Sequence, residues 1–222
     1  IPEYKSIVIK NATYPFTVKS KNKTEKLKLI YTSTPWRGLE VLAHTAKYLN
    51  ERGVNYELDV YSSTMIYGDS FHEKEEKKYS ALFNMCRELE NVNYHGYATN
   101  DEVREAVLDA HIFAYPSIFE ETSCLSAIEA MCAGCQVVTT NLGALPETCG
   151  DYATFVRFQP VLKDLMLEYC EALEKAIKNY WSDDTQELLA DQSTFYNKYY
   201  SWEKRMKEWE DLFKHAKQRK ST

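Results

Sequence analysis

Two glutamates carry the most chemical information in this sequence: Glu121, in a polar stretch after an apolar run, and Glu129, eight residues on. From Pro116 to Gly134 the chain reads Pro-Ser-Ile-Phe-Glu-Glu-Thr-Ser-Cys-Leu-Ser-Ala-Ile-Glu-Ala-Met-Cys-Ala-Gly. The pattern predicts a strand ending at Tyr115-Pro116, a short loop, and a nearly all-apolar helix from Cys124 to Ala133, capped by Thr122 or Ser123. On that helix Glu129 is flanked by Ile128, Ala130, Met131 and Cys132, where a carboxylate is costly without hydrogen-bond donors. The vicinal hydroxyls of a ribose would supply them, one to each carboxylate oxygen. An internal ion pair, or partial exposure, would serve equally well.

A second concentration of chemistry is Tyr31-Thr-Ser-Thr-Pro-Trp-Arg-Gly-Leu39. Arg37-Gly38 opens a helix there, so a cation and helix-start N–H groups face one place, as an anionic diphosphate needs. A solvated arginine at a helix start fits the same residues. The glycine-rich dinucleotide fingerprint is missing, which counts against a nicotinamide enzyme. Thr139-Thr-Asn-Leu-Gly-Ala-Leu-Pro-Glu-Thr148 follows another apolar run and reads as a strand-to-helix loop, with Glu147 where a helix would begin.

The elements that position these residues follow from periodicity. Leu27 to Tyr31 reads as a strand, and Leu39 to Arg52 as a helix with Leu42, Ala46 and Leu49 on one face and Gly53 as its stop. Next come a strand (Tyr56 to Tyr61), a helix (Glu73 to Leu89) and a strand (Val92 to His95). Thr99 to Glu102 has capping-box spacing and starts a helix to Leu108; strands at His111 to Tyr115 and Gln136 to Thr140 follow, with another at Tyr152 to Val156. This alternation predicts an α/β, Rossmann-like parallel sheet with helices on both faces and a site at the carboxyl ends of its strands. Beyond Val161 the pattern is helical: Val161 to Tyr180, Asp184 to Tyr199 and Ser201 to Lys217. The last carries Trp202, Met206, Trp209 and Phe213 at helical spacing, a stripe expected to pack against a body.

Together these segments resemble the C-terminal, nucleotide-sugar-binding domain of the retaining family-four glycosyltransferases, one half of a GT-B fold. The family's E-x7-E motif is Glu121-Thr-Ser-Cys-Leu-Ser-Ala-Ile-Glu129. Its basic residue before glycine is Arg37-Gly38, its strand–glycine–turn element is Tyr94-His-Gly96-Tyr97, and Asn141-Leu-Gly-Ala-Leu-Pro-Glu147 is similar too. The resemblance implies that Glu129 holds the ribose hydroxyls and that Glu121 lies by the donor sugar. It also implies that Thr122 and the backbone amides of Ser123, Cys124 and Leu125 stand near sugar and phosphate. Arg37, beside Gly38, would bind the diphosphate and stabilise the leaving group, and Gly96-Tyr97 would hold the base; Arg37 and Glu121 are then the expected catalytic residues. Where many relatives carry a second cation this chain has Thr32, so Ser33 and Thr34 are expected to assist, and Thr122 and Cys124 replace common glycines.

The expected activity is transfer of a hexosyl group from a UDP- or GDP-sugar to a carbohydrate or glycoconjugate acceptor with retention, using no cofactor and no essential metal. The acceptor site would lie in an N-terminal domain outside this chain. The chain opens on Ile1-Pro2, without an initiator methionine, and reads as a piece of something longer. Residues 1–25 read as a lead-in or linker, 26–180 as the Rossmann-like donor-binding domain, and 181–222 as C-terminal helices packed on it. The alternative is a non-catalytic nucleotide-binding or interaction domain of the same fold; Thr32 speaks for it, and Arg37, Glu121 and Glu129 speak against it.

Composition bounds the rest. The 222 residues are 44% hydrophobic, enough for a continuous core without disulfide staples. A net charge of −6 argues against a nucleic-acid partner, while local positive charge suffices for a diphosphate. Cys86, Cys124, Cys132, Cys135, Cys149 and Cys170 fall in helical or interior segments and read as reduced thiols of a cytoplasmic protein. No apolar run approaches the roughly 20 residues of a transmembrane helix, and no signal peptide opens the chain. Cys132-Ala-Gly-Cys135 has metal-pair spacing, but two ligands do not complete a tetrahedral site. The sequons at Asn11 and Asn22 read as chance.

Overall fold

The computed structural model describes residues 6–18, 21, 23 and 26–218. Asn22 and Thr24 of the second sequon and other parts of the lead-in lie outside them. A wholly parallel sheet of six strands has the order β3-β2-β1-β4-β5-β6, the two-halved Rossmann arrangement. Its strands are β1 (Leu27–Thr32), β2 (Tyr56–Tyr61), β3 (Val92–Tyr94), β4 (Ile112–Tyr115), β5 (Gln136–Thr140) and β6 (Thr154–Val156). The helices are α1 (Leu39–Glu51), α2 (Asp69–Glu88), α3 (Asn100–Asp109), α4 (Leu125–Cys132), α5 (Leu145–Cys149), α6 (Leu162–Asn179), α7 (Asp183–Tyr199) and α8 (Trp202–Gln218).

The centre of the sheet shows why a parallel arrangement forms. Leu29, Ile30 and Tyr31 of β1 and all of β4 are buried, since helices cover both faces, and β4 therefore reads as an unbroken apolar run. Leu29 is in register with Ile112 and Ile30 with Phe113, so β1 and β4 are neighbours although the chain crosses from one half of the sheet to the other between them. α1 packs against α2 and α6 while α4 packs against α3 and α7, which makes two helical layers. The capping box at Thr99 is formed, with the Glu102 amide bonding the Thr99 hydroxyl and the Glu102 carboxylate bonding the Thr99 amide.

Differences from the sequence reading are local. α2 starts at Asp69 rather than Glu73, because Gly68 at φ +91° turns the chain into the helix earlier. α4 is capped by neither Thr122 nor Ser123: Cys124 is its N-cap residue and no side chain closes it, while the Ser123 hydroxyl accepts from Asn11. The α5 helix begins at Leu145, ahead of Glu147, with Pro146 in its first turn where a missing N–H costs nothing. The aromatic stripe of α8 is not covered among the described residues: Trp202, Met206, Trp209 and Phe213 are 40 to 63% exposed. What ties α8 down is its other side, where buried Arg205 donates through Nε to Asn11 O (3.2 Å) and also binds the Tyr199 carbonyl.

Candidate functional site

β1 and β4 lie side by side, and the loops that leave their carboxyl ends frame a cleft of about 490 Å3. Thr32 to Thr34 and Arg37 line it from the first half of the sheet, Ser62 and Tyr61 from the end of β2, Gly96 and Tyr97 from the loop after β3, and Leu125, Ser126 and Glu129 from α4. This is where an open α/β sheet offers helix N-termini and unpaired backbone groups to a ligand.

Each wall has a sequence cause. After β1 the chain makes a short 3-10 turn, Pro35–Arg37, before α1 begins. Gly38 allows that turn, because its φ is +119° and a Cβ there would sit 2.1 Å from the Pro116 carbonyl oxygen. The loops after β1 and β4 therefore touch backbone to backbone. Pro116 ends β4, having no N–H for the ladder. The loop after it is tied to β5 by two hydroxyls, Thr139 to Tyr115 O (2.7 Å) and Thr140 to Ser117 O (2.7 Å). Gly143 does the same for the loop after β5, whose Ala144 amide donates to Glu121 O (2.7 Å); a Cβ on Gly143 would lie 2.7 Å from the Glu121 backbone.

Glu121 is buried under this arrangement. Its Oε1 accepts from Arg37 Nη1 (2.8 Å) and from the Tyr115 hydroxyl (2.6 Å). The Arg37 guanidinium lies 4.5 Å from the Phe119 ring centre. Burial works against the charge on Arg37, but Glu121 and Tyr115 outweigh it and hold its pKa above the usual arginine value. Burial, reinforced by Cys124 and by donation to Glu121, drives the Tyr115 phenol far above its ordinary pKa, so it stays a neutral donor. Cys124 is pushed up to about 12, by burial and then by Glu121, and is no nucleophile.

Glu129 is held differently. Its Oε1 accepts from Thr13 Oγ1 (2.8 Å) and Arg104 Nη1 (2.7 Å), and the side chain is about a quarter exposed, at 23%. The donors demanded by a carboxylate on an apolar helix are thus supplied by an ion pair and a threonine, while Glu129 still lines the cleft.

Of the residues singled out in the sequence, Ser33, Thr34, Arg37, Gly96, Tyr97, Leu125 and Glu129 line the cleft. Glu121 lies beneath Arg37, Gly38 is packed on Pro116, and Thr122, Ser123 and Cys124 stand outside the lining. Tyr115, Ser62, Arg104 and Thr13 were missed. Tyr115 looks like strand core and Ser62 like a loop serine. The signal for Arg104 was its place between Val103 and Val107, on the inward side of α3. Three buried donor atoms at the cleft, Thr34 Oγ1, Arg37 Nε and Ser62 Oγ, have no hydrogen-bond partner among the described residues. Among the described residues, Arg37 is the one lysine or arginine in the lining, and Glu129 its one carboxylate.

Residues 14–191 match the family model described as glycosyl transferases group 1. The chain belongs to this glycosyltransferase family. Within it, 82 residues are 35% identical to a component of the human phosphatidylinositol N-acetylglucosaminyltransferase, over 37% of this chain and 16% of that protein. Solved glycosyltransferase structures share the fold: one from Rickettsia africae ESF-5 (TM-score 0.67, 13% identity, 87% of this chain and 48% of that one), and the pneumococcal O-GlcNAc transferase in complex with UDP and GlcNAc (0.65, 12%, 93% and 38%). A third is sucrose-phosphate synthase from Thermosynechococcus elongatus (0.61, 18%, 86% and 46%). This glycosyltransferase chain thus spans less than half the length of each of them. No helix among the described residues is long and apolar enough to cross a membrane.

Proposed function

We propose that this chain is the donor-binding, C-terminal half of a retaining family-four glycosyltransferase that takes a UDP- or GDP-sugar. The observation that carries the reading is the set of partnerless buried donors, Thr34 Oγ1, Arg37 Nε and Ser62 Oγ, around one cleft at the switch point of the sheet. Buried donors without acceptors are costly, and these belong to or stand beside Arg37, the one cation lining the cleft among the described residues, where the charge of a diphosphate would be met. A structural relative in complex with UDP and GlcNAc adds support.

In this reading the diphosphate lies over Arg37 with Ser33, Thr34 and Ser62 donating, the base meets Gly96 and Tyr97, and the ribose meets Glu129. As the bond from sugar to phosphate breaks, negative charge grows on the departing diphosphate, and Arg37 stabilises it. Glu121 and Tyr115 fix the guanidinium in place beforehand, which makes Glu121, the first glutamate of the motif, a positioning residue for Arg37. Hydroxyls do part of the work that a second cation does elsewhere, since Thr32 is neutral. Sugar transfer, retention and the acceptor belong to the intact protein, whose acceptor-binding half completes the site. No cofactor and no essential metal enters the scheme.

Calorimetric titration with UDP, GDP and their sugars tests it. Binding of a nucleoside diphosphate, weakened in Glu129→Ala, is expected; no binding, or binding indifferent to that substitution, would remove the donor site. Transfer by the full-length protein that survives Arg37→Ala would remove the role of Arg37.

A further inference from the structure

The sequence gives Glu129 a reason to seek hydroxyl partners, and the structure fills part of that need from the protein. Both bonds fall on Oε1. Arg104 Nη1 donates to it and also to Thr13 Oγ1 (3.0 Å), while Nη2 donates to Tyr14 O (2.9 Å) and the guanidinium centre lies 3.8 Å from the Phe16 ring centre. Thr13 is fixed in turn, its amide donating to Tyr200 O (2.8 Å), and the Phe16 amide donates to Asn197 Oδ1 (2.7 Å). Side chains from α3 and the lead-in thus converge on one carboxylate oxygen of α4. A carboxylate oxygen has two lone pairs, so Oε1 is filled, and among the described residues no hydrogen bond falls on Oε2 of Glu129, a residue that lines the cleft.

We propose that Arg104 and Thr13 are positioning residues for nucleotide recognition: they lock the Glu129 carboxylate so that Oε2 reads the ribose hydroxyls, which makes selection of ribose over 2′-deoxyribose depend on the lead-in segment. This rests on Glu129 being the ribose acceptor. An unheld glutamate samples many rotamers and loses that freedom on binding; the clamp removes the loss beforehand. The chain here differs from a simple bidentate scheme, because one oxygen is committed to the protein and the other alone faces the ligand's choice.

The test is calorimetry on the full chain with UDP, GDP and their 2′-deoxy counterparts, on the wild type, Arg104→Gln, Arg104→Lys and Thr13→Val, with melting temperatures alongside. The wild type is expected to prefer the ribonucleotide by about tenfold, and Arg104→Gln to weaken ribonucleotide binding by about that factor while changing the 2′-deoxy form less than about twofold. Arg104→Lys, which can still donate to Oε1, should restore part of the preference, and Thr13→Val should shift it in the same sense by a smaller factor. Equal weakening of both forms, or an unchanged ratio, overturns the positioning role and leaves Arg104 as a fastener of the lead-in. If Arg104→Gln does not fold, the ratio in Thr13→Val decides in the same way. Failure of the wild type to bind any of the nucleotides is a different result, and it removes the donor-site reading together with this one.

Discussion

Glu121 and Glu129 share a motif, yet the fold treats them as two kinds of carboxylate: Glu129 lines the cleft and Glu121 lies beneath it. Glu121 is buried, and its partners Arg37 and Tyr115 come from the loop after β1 and from β4, inside the body of the sheet. Glu129 is partly exposed, and its partners Arg104 and Thr13 come from α3 and from the lead-in, at the margin. The cation that would act on the diphosphate is the one that neutralises Glu121, so stability and chemistry are coupled at that end. At the other end the neutralising cation, Arg104, is not among the residues lining the cleft, so recognition can change while the fold stays intact.

The contrast can be broken experimentally. Arg37→Ala in the intact protein is expected to reduce transfer by about a hundredfold or more, the scale of losing one preorganised charge-stabilising donor; a loss under about threefold would detach chemistry from this end of the site. Glu121→Ala leaves Arg37 and the Tyr115 hydroxyl without their acceptor and is expected to cost about 2 to 3 kcal/mol, the low end for breaking a buried pair because Arg37 retains some contact with water. Urea unfolding measures it. Gly143→Ala pushes on the Glu121 backbone and is expected to cost about 2 kcal/mol through the strain of a close contact and a positive φ, and to weaken nucleotide binding with it. Glu129→Ala should cost less, about 1 kcal/mol, in the same unfolding experiment, since Arg104 keeps Thr13 Oγ1, Tyr14 O and the Phe16 ring as partners. If it destabilises more than Glu121→Ala, the two carboxylates are not held as described.

The smallest effect concerns the cysteines beside the two glutamates. Burial, then Glu121, lifts Cys124 to about 12, and burial, then Glu129, lifts Cys132 to about 12. Because these pKa values are raised in the fold, the associated stability is complete below the unfolded thiol value of about 8.5, declines above it, and is gone once pH reaches the folded values. Thiol labelling near neutral pH should therefore be slow in the native chain and complete on unfolding; rapid native labelling of either residue would contradict the burial of its surroundings.

Much of this was legible in the sequence, and the reasons differ by residue. The strands announced themselves because a sheet covered on both faces needs unbroken apolar runs such as Ile112 to Tyr115. Glycines ended helices where positive φ is required. Glu129 stood out because a carboxylate on an apolar helix is costly, and Arg37 because it sits with free N–H groups at a helix start, whereas Glu121 stood out only through the resemblance of its spacing to a family motif. What escaped notice is long range: Thr13 and Glu129 are 116 residues apart, and Arg104 and Tyr14 are 90. Thr13 is not unusual where it stands, the inward place of Arg104 on α3 does not name its partner, and only the tertiary fold brings them together. The cap of α4 escaped for the opposite reason, since Thr122 and Ser123 have good capping chemistry and the loop turns one residue later, at Cys124.

The lead-in reaches Glu129 by leaning on parts of the chain made long after it. Thr13 pairs with Tyr200 and Ser201, Phe16 with Asn197, and Asn11 with Arg205. On the ribosome, where a chain emerges from its N-terminus at about 5 to 20 residues per second, β1 to β6 can assemble well before those anchors leave the exit tunnel. A nascent chain would then hold Arg37 and Glu121 in place while Thr13 has nothing to rest on. Nucleotide selectivity would be acquired later in synthesis than the sheet that carries it.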